Sequence, residues 1–136
     1  MTDDDALIEA ALRVRENAYA PYSLFAVGAA LRAEDGRVFV GANVENAAYP
    51  EGICAEAAAL GALIAGGARR VVAAAVASEG AEPCPPCGGC RQKLAEFAAA
   101  DMPVLLATPA GVRRILSLGD LFPRSFGAAH LATPKT

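Results

Sequence analysis

The sequence predicts an α/β fold, a mixed sheet covered by helices on both faces. Three observations carry this. Leu7, Ile8, Ala11, Leu12, Arg15 and Tyr19 recur at helical spacing, and Pro21 stops the pattern. Val71 to Ala77 is a short apolar run between turn signals, which reads as a buried central strand. Pro109-Ala110-Gly111 is too short for a crossover, so Val112 to Leu116 should return antiparallel to a strand at Val104 to Ala107.

The remaining elements follow in order. Phe25 to Ala33 reads as a strand, Glu34-Asp35-Gly36-Arg37 as a turn, and Val38 to Ala42 as the returning strand. Ala47 to Ile53 is a loop with Pro50 and Gly52. Cys54 to Ala65 is helix-prone and Gly66-Gly67 ends it. Pro83, Pro85 and Pro86 stiffen a loop over 78–86, and a helix follows from about Cys87 to Ala100. A short helix around Leu118 to Phe122 and an irregular tail complete the order helix, strand, strand, helix, strand, helix, strand, strand.

A chain of 136 residues fits one domain, here 1–136, and can bury a core without disulfide staples. The 54% hydrophobic content, much of it alanine, suits closely packed helices. The net charge of −3 argues against a nucleic-acid polymer, whose phosphates call for a basic surface, and favours a small neutral substrate. The start, Met1-Thr2-Asp3-Asp4-Asp5, is acidic rather than a secretory leader, and no apolar run is long enough for a membrane span. A cytoplasmic location is expected. There thiols stay reduced, so the four cysteines read as metal ligands or catalytic groups.

Two segments carry the chemistry: Cys54-Ala55-Glu56 and Pro86-Cys87-Gly88-Gly89-Cys90. Each follows a loop and opens a helix, where free N–H groups and the positive dipole end favour thiolates. Cys87 and Cys90 share a helix face at i and i+3, and Cys54 would come from the other helix. Three protein ligands leave a fourth position open, the pattern of a catalytic zinc site. Zinc lowers the pKa of a bound water, and a carboxylate beside it, here Glu56, can accept and pass on the proton. Two alternatives stand beside this reading. Cys84 would complete a four-Cys structural site, which closes the open position and leaves Glu56 without a purpose. Cys87-Gly88-Gly89-Cys90 alone would also suit a thiol redox motif.

A metal ligand, one residue, then Glu, followed later by Pro-Cys-x-x-Cys, is the signature of the zinc deaminases, with a three-Cys variant. Over nearly its whole length the chain resembles the small homotetrameric cytidine deaminases. The resemblance rests on Ala20-Pro21-Tyr22-Ser23, Phe25, Val27-Gly28-Ala29-Ala30-Leu31 and Gly41. It continues through Asn43-Val44-Glu45-Asn46-Ala47-Ala48-Tyr49, Cys54-Ala55-Glu56 and Pro86-Cys87-Gly88-Gly89-Cys90-Arg91-Gln92. It implies a three-layer α/β/α sandwich with a mixed five-stranded sheet. It also implies one Zn²⁺ per chain on Cys54, Cys87 and Cys90, and hydrolytic deamination of cytidine and deoxycytidine in pyrimidine salvage.

The same resemblance gives roles to further residues. Asn43 and Glu45 match a ribose-binding pair, and their i, i+2 spacing on an extended segment points both one way. Phe25 matches a residue packed on the pyrimidine, although a strand Phe is more often plain core. The N–H of Ala55 and the carbonyl of Pro85 match groups that hold the base edge. Ala47, Tyr49 and Phe126 match positions that complete a neighbouring chain's pocket in the homotetramer.

Departures from the family pattern are expected to matter. Ala57 stands where three-Cys members carry an Arg that hydrogen-bonds the sulfurs and offsets the excess charge of three thiolates. The helix N-termini, helped by Arg91, would have to do that work. The loop Tyr49-Pro50-Glu51-Gly52-Ile53 and the extra Cys84 bear on substrate range. A related class acts on modified cytosine nucleosides such as blasticidin, and the Asn43 to Tyr49 run fits cytidine better. His130, in the tail, reads as solvent-exposed and not a ligand.

Overall fold

A computed structural model describes residues 1–132. It contains helices α1 (Asp3–Arg15), α2 (Ala55–Ala65), α3 (Gly88–Phe97) and α4 (Leu118–Leu121). The strands are β1 (Val27–Ala33), β2 (Val38–Ala42), β3 (Val71–Ser78), β4 (Pro103–Ala107) and β5 (Arg113–Ser117). They form one sheet in the order β2-β1-β3-β4-β5. The β3–β4 pair is parallel and the other pairs are antiparallel, so the sheet is mixed and β5 returns on β4 as expected.

Alternation along β3 divides the core in two. Ala73, Ala75 and Ala77 face α1, where they pack with Leu7, Ile8 and Ala11. Ala74 and Val76 face the other way, toward Ala55, Ala59 and Leu63 of α2 and Leu94 of α3. The result is three layers: α1, the sheet, and the α2–α3 pair. Alanine on the sheet brings the helices close.

Helix α1 starts in a capping box: the Thr2 hydroxyl accepts from the Asp5 N–H at 3.1 Å, and the Asp5 carboxylate accepts from the Thr2 N–H at 3.0 Å. The Arg113 guanidinium beside Asp5 holds that carboxyl far below the usual range and ties α1 to β5. In the β1–β2 hairpin Gly36 takes φ +89°, a left-handed conformation suited to glycine.

Several boundaries differ from the sequence expectation. β1 begins at Val27, not Phe25, because the Asn43 side chain takes the Phe25 carbonyl and the Val27 N–H. α3 ends at Phe97 rather than Ala100, since Ala98 turns extended and Ala100 packs against Gly119. β5 reaches Ser117, which pairs with Pro103 and then caps α4 by accepting from the Asp120 N–H at 3.1 Å.

Gly41 sets the distance between β2 and α2. A Cβ there would lie 2.4 Å from the Ala59 nitrogen and 2.6 Å from the Ala55 oxygen, both backbone atoms that cannot swing away. Gly41→Ala should therefore destabilise the fold by about 1–3 kcal/mol, the usual cost of overpacking. Gly61, with nothing within 4 Å of a Cβ, is the control; Gly61→Ala should stabilise by about 0.5–1 kcal/mol through helix propensity. Denaturant melts of the two variants check both signs.

Candidate active site

Cys54 and Cys87 are the N-cap residues of α2 and α3, each with extended backbone angles. The two helices lie on the same face of the sheet and their N-termini meet. This brings the Cys54 and Cys87 sulfurs to 3.8 Å. Cys90, in the first turn of α3 and 1% exposed, completes a triad whose sulfurs all lie within 4.8 Å of one another. Zinc–sulfur bonds of about 2.3 Å in a tetrahedron require sulfurs about 3.8 Å apart. The donor set and spacing therefore fit a zinc ion.

The backbone N–H of Cys90, at the start of α3, holds the Cys87 thiol below its ordinary pKa. Burial lifts those of Cys54 and Cys90. A divalent cation overrides such lifts, because a coordinating thiol is deprotonated outright.

Cys84 does not join the triad. Its backbone N–H donates to the Ser78 hydroxyl at 2.9 Å, which turns this part of the loop toward the end of β3. Burial raises its thiol pKa. Among the described residues the metal-competent cluster is three cysteines, and His130 is exposed and outside it.

Glu56 is the buried carboxylate of the site, 5% exposed, in the same row of α2 as Leu60. A glutamate at a core position is rare without a functional partner. Desolvation raises its pKa above the ordinary value, while its own backbone N–H pulls the other way. The group thus holds a proton more readily than a free glutamate.

A cleft of about 310 Å³ opens over these groups, within the range of small-molecule sites. It gathers Phe25, Asn43, Glu45, Cys54, Ala55, Glu56, Pro85 and Cys87, all named from the sequence. Ser23, Val27 and Cys84 also line it. Ala47, Tyr49 and Phe126 do not. Tyr49 is 79% exposed in an adjoining hollow with Tyr22 and Asn46. Phe126 stacks on His130 at 5.4 Å, in a separate groove beside α3.

Asn43 and Glu45 already hold protein groups. Val44 between them pairs with both Tyr19 and Ile53, which fixes their common direction. Asn43 accepts from the Val27 N–H at 2.9 Å and donates to the Phe25 carbonyl at 2.8 Å. The Glu45 carboxylate accepts from the N–H groups of Tyr22 and Ser23 at 3.0 and 3.1 Å, and from the Ser23 hydroxyl. Between these anchors Leu24 sits at φ 59°, a conformation that costs a non-glycine residue roughly 1–3 kcal/mol. Arg15 adds a bond from Nε to the Ala26 carbonyl at 3.0 Å and an ion pair with Glu79. Together these side chains clamp the segment carrying Phe25. Sequence reasoning missed Ser23 and Arg15. Ser23 stands in the quoted Ala20-Pro21-Tyr22-Ser23 run, but a hydroxyl two residues before an aromatic is no signal by itself.

Arg91 also departs from expectation. Its guanidinium is directed to the carbonyls of Pro86 and Leu121, at 2.8 and 2.6 Å, and not to a sulfur. Successive residues point about 100° apart around a helix, so adjacency to Cys90 does not bring Arg91 to the metal side.

Residues 1–106 match the family model described as "Cytidine and deoxycytidylate deaminase zinc-binding region". The chain belongs to this family. Zinc is its cofactor, and the Cys54, Cys87 and Cys90 thiols are the cluster that fits it. The chain is 46% identical over 129 residues to a cytidine deaminase of Halalkalibacterium halodurans, covering 95% of this chain and 98% of that one. It is 44% identical over 121 residues to that of Mycobacterium tuberculosis, covering 89% and 87%. Among solved structures, the Burkholderia pseudomallei cytidine deaminase superposes with a TM-score of 0.87 at 49% identity, over 93% of this chain and all of that one. The Mycobacterium tuberculosis enzyme gives 0.79 at 41% identity, over 93% and 99%.

The deaminase fold's clamp has a pH signature. Hydrogen bonds from Ser23 and Tyr22 lower the Glu45 pKa from its ordinary 4.5. A depressed carboxylate stabilises the clamp above the ordinary value, and this is lost as pH falls through the folded one. The carboxyl carbon resonance of Glu45 should titrate below 4.5, and Ser23→Ala should move it back up. Identical titrations in the two proteins would contradict the clamp.

Proposed function

We propose that this protein hydrolytically deaminates cytidine and deoxycytidine to uridine and deoxyuridine, releasing ammonia. The observation that carries the reading is the buried Glu56 carboxyl beside three convergent thiols in one small cleft. The cytidine deaminases of comparable length support the substrate class.

Zinc held by Cys54, Cys87 and Cys90 would supply a Lewis acid that makes water a nucleophile near neutral pH. Glu56 accepts the proton that the attacking water gives up and delivers it to ring N3 as C4 gains oxygen. It then takes the remaining proton from the new C4 hydroxyl and passes it to the amino nitrogen, so that the C4 carbonyl forms as the C4–nitrogen bond breaks and ammonia leaves. Ala55 is the first residue of α2, so its N–H has no intrahelical partner and is free to donate to the base edge. The Pro85 carbonyl accepts from the amino group; proline lacks an N–H but keeps this oxygen. Phe25, clamped by Asn43, covers the ring. Asn43 keeps a second amide hydrogen and Glu45 keeps lone pairs, which suits them to hydroxyls of the sugar.

The pocket is completed in a homotetramer. Tyr49 and Phe126 stand outside the cleft of their own chain, with Ala47 two residues before Tyr49, as residues reaching a neighbour's pocket would. Exposed Tyr22, Leu24 and Ile53 supply apolar surface for such contacts. No helix among the described residues is long and apolar enough to cross a membrane. The four free cysteines support work in the reducing cytoplasm, in pyrimidine salvage.

Ammonia release from cytidine by zinc-loaded protein, with Glu56→Gln as the control, tests the reading. Turnover should fall by about 10²–10⁴-fold in the variant with zinc content unchanged, and the active species should sediment as a tetramer. Full turnover by Glu56→Gln would remove it as the proton carrier. No turnover by the wild type would move the substrate to another aminated nucleoside, and a fully active monomer would refute the shared pocket.

A further inference from the structure

Arg91 and Gln92 follow Cys90 directly, and all three of their side-chain hydrogen bonds go to backbone carbonyls outside α3. Arg91 Nε donates to Pro86, the residue before the ligand Cys87, at 2.8 Å. One of its terminal nitrogens donates to Leu121, the last residue of α4, at 2.6 Å. Gln92 Nε2 donates to Phe126 at 2.9 Å. The Arg91 backbone N–H also closes on the Cys87 carbonyl at 3.0 Å. One guanidinium thus spans the metal loop and the end of α4, and its neighbour holds the segment that carries Phe126.

We infer that Arg91, seconded by Gln92, is a positioning residue that couples the Cys87 loop to the C-terminal segment, so that zinc retention and the seating of Phe126 rise and fall together. The inference rests on the reading of the triad as the zinc site. The physical basis is the shape of the group. A guanidinium is a rigid planar fork that can hold two carbonyls at a fixed separation, whereas an ammonium is a single mobile point. The α4 carbonyl it meets is one of the orphan acceptors at a helix end, which a cation satisfies well. If the C-terminal segment lifts, Arg91 loses one anchor and the Pro86 carbonyl loses its restraint. The Cys87 cap then loosens around the metal. Outer-shell groups that orient a ligand typically change metal affinity by about 10–100-fold.

The test uses zinc-loaded full-length protein and two readouts other than turnover. The first is the rate of zinc transfer to a chromogenic chelator. Arg91→Lys, which keeps the charge and loses the fork, should release zinc about 10–100-fold faster. The second is hydrogen exchange of the amides over 122–128. It should be faster in Arg91→Lys and in Gln92→Ala than in the wild type. Arg69→Ala controls for general destabilisation: Arg69 also holds two carbonyls, those of Ile64 and Ala68, at the far end of α2 from the thiols. It should lower the melting temperature and leave zinc release unchanged. Equal release rates in wild type and Arg91→Lys would overturn the coupling, as would equal acceleration in Arg69→Ala. A wild type that holds no zinc would overturn the metal reading and the coupling together; one that holds zinc, with release unaltered in Arg91→Lys, overturns the coupling alone.

Discussion

The meeting of two helix N-termini over one face of the sheet is the constraint on which the rest of the structure depends. It places Cys54 and Cys87 at equivalent cap positions, 3.8 Å apart, with Cys90 one turn further on. Free N–H groups and aligned dipoles at both ends offset some of the negative charge of three thiolates. That matters more here than it would with an arginine at position 57, where this chain has Ala57. The close approach depends in turn on small residues. Gly41 lets β2 lie against α2, and alanines along β3 admit helices on both faces. An alanine-rich composition thus reaches the site through packing distance.

The cleft is built by polar side chains that hold backbone before they hold any ligand. Asn43, Glu45 and Arg15 fix the segment from Tyr22 to Val27 at five backbone groups, with Leu24 in a strained conformation among them. In the proposed role of Phe25 this would preorganise its ring, so that less of the binding energy goes into ordering the loop. Arg91 and Gln92 do comparable work at the other side, on the metal loop and the C-terminal segment. Around the buried Glu56 the result is a frame of side-chain-to-backbone hydrogen bonds, and the proton transfer proposed for Glu56 needs such a frame to keep donor and acceptor within reach.

Much of this was legible in the sequence, for physical reasons that also mark where legibility ended. The strands and the main helices follow from periodicity and from Gly and Pro stops. The zinc triad follows from spacings that are local: i and i+3 in one helix turn, and a cysteine at a second helix start. Cys84 was ambiguous because the direction of a proline-rich loop depends on what its backbone meets, here the Ser78 hydroxyl of β3. Phe25 suits a strand by residue type, but the Asn43 side chain, distant in sequence, replaces the ladder there. Adjacency to Cys90 alone places Arg91 near the sulfurs, but helical rotation turns it away. In each case the deciding contact is between a side chain and backbone outside its own turn or element, and no periodicity or spacing in the sequence encodes it.

The central claim is a three-thiolate zinc site with one position left open for chemistry. X-ray absorption at the zinc edge on the purified, metal-loaded protein tests it most directly. The account predicts three sulfur scatterers at about 2.3 Å and one lighter atom at about 2.0–2.1 Å. Four sulfurs would bring Cys84 into the shell, close the open position and contradict the account.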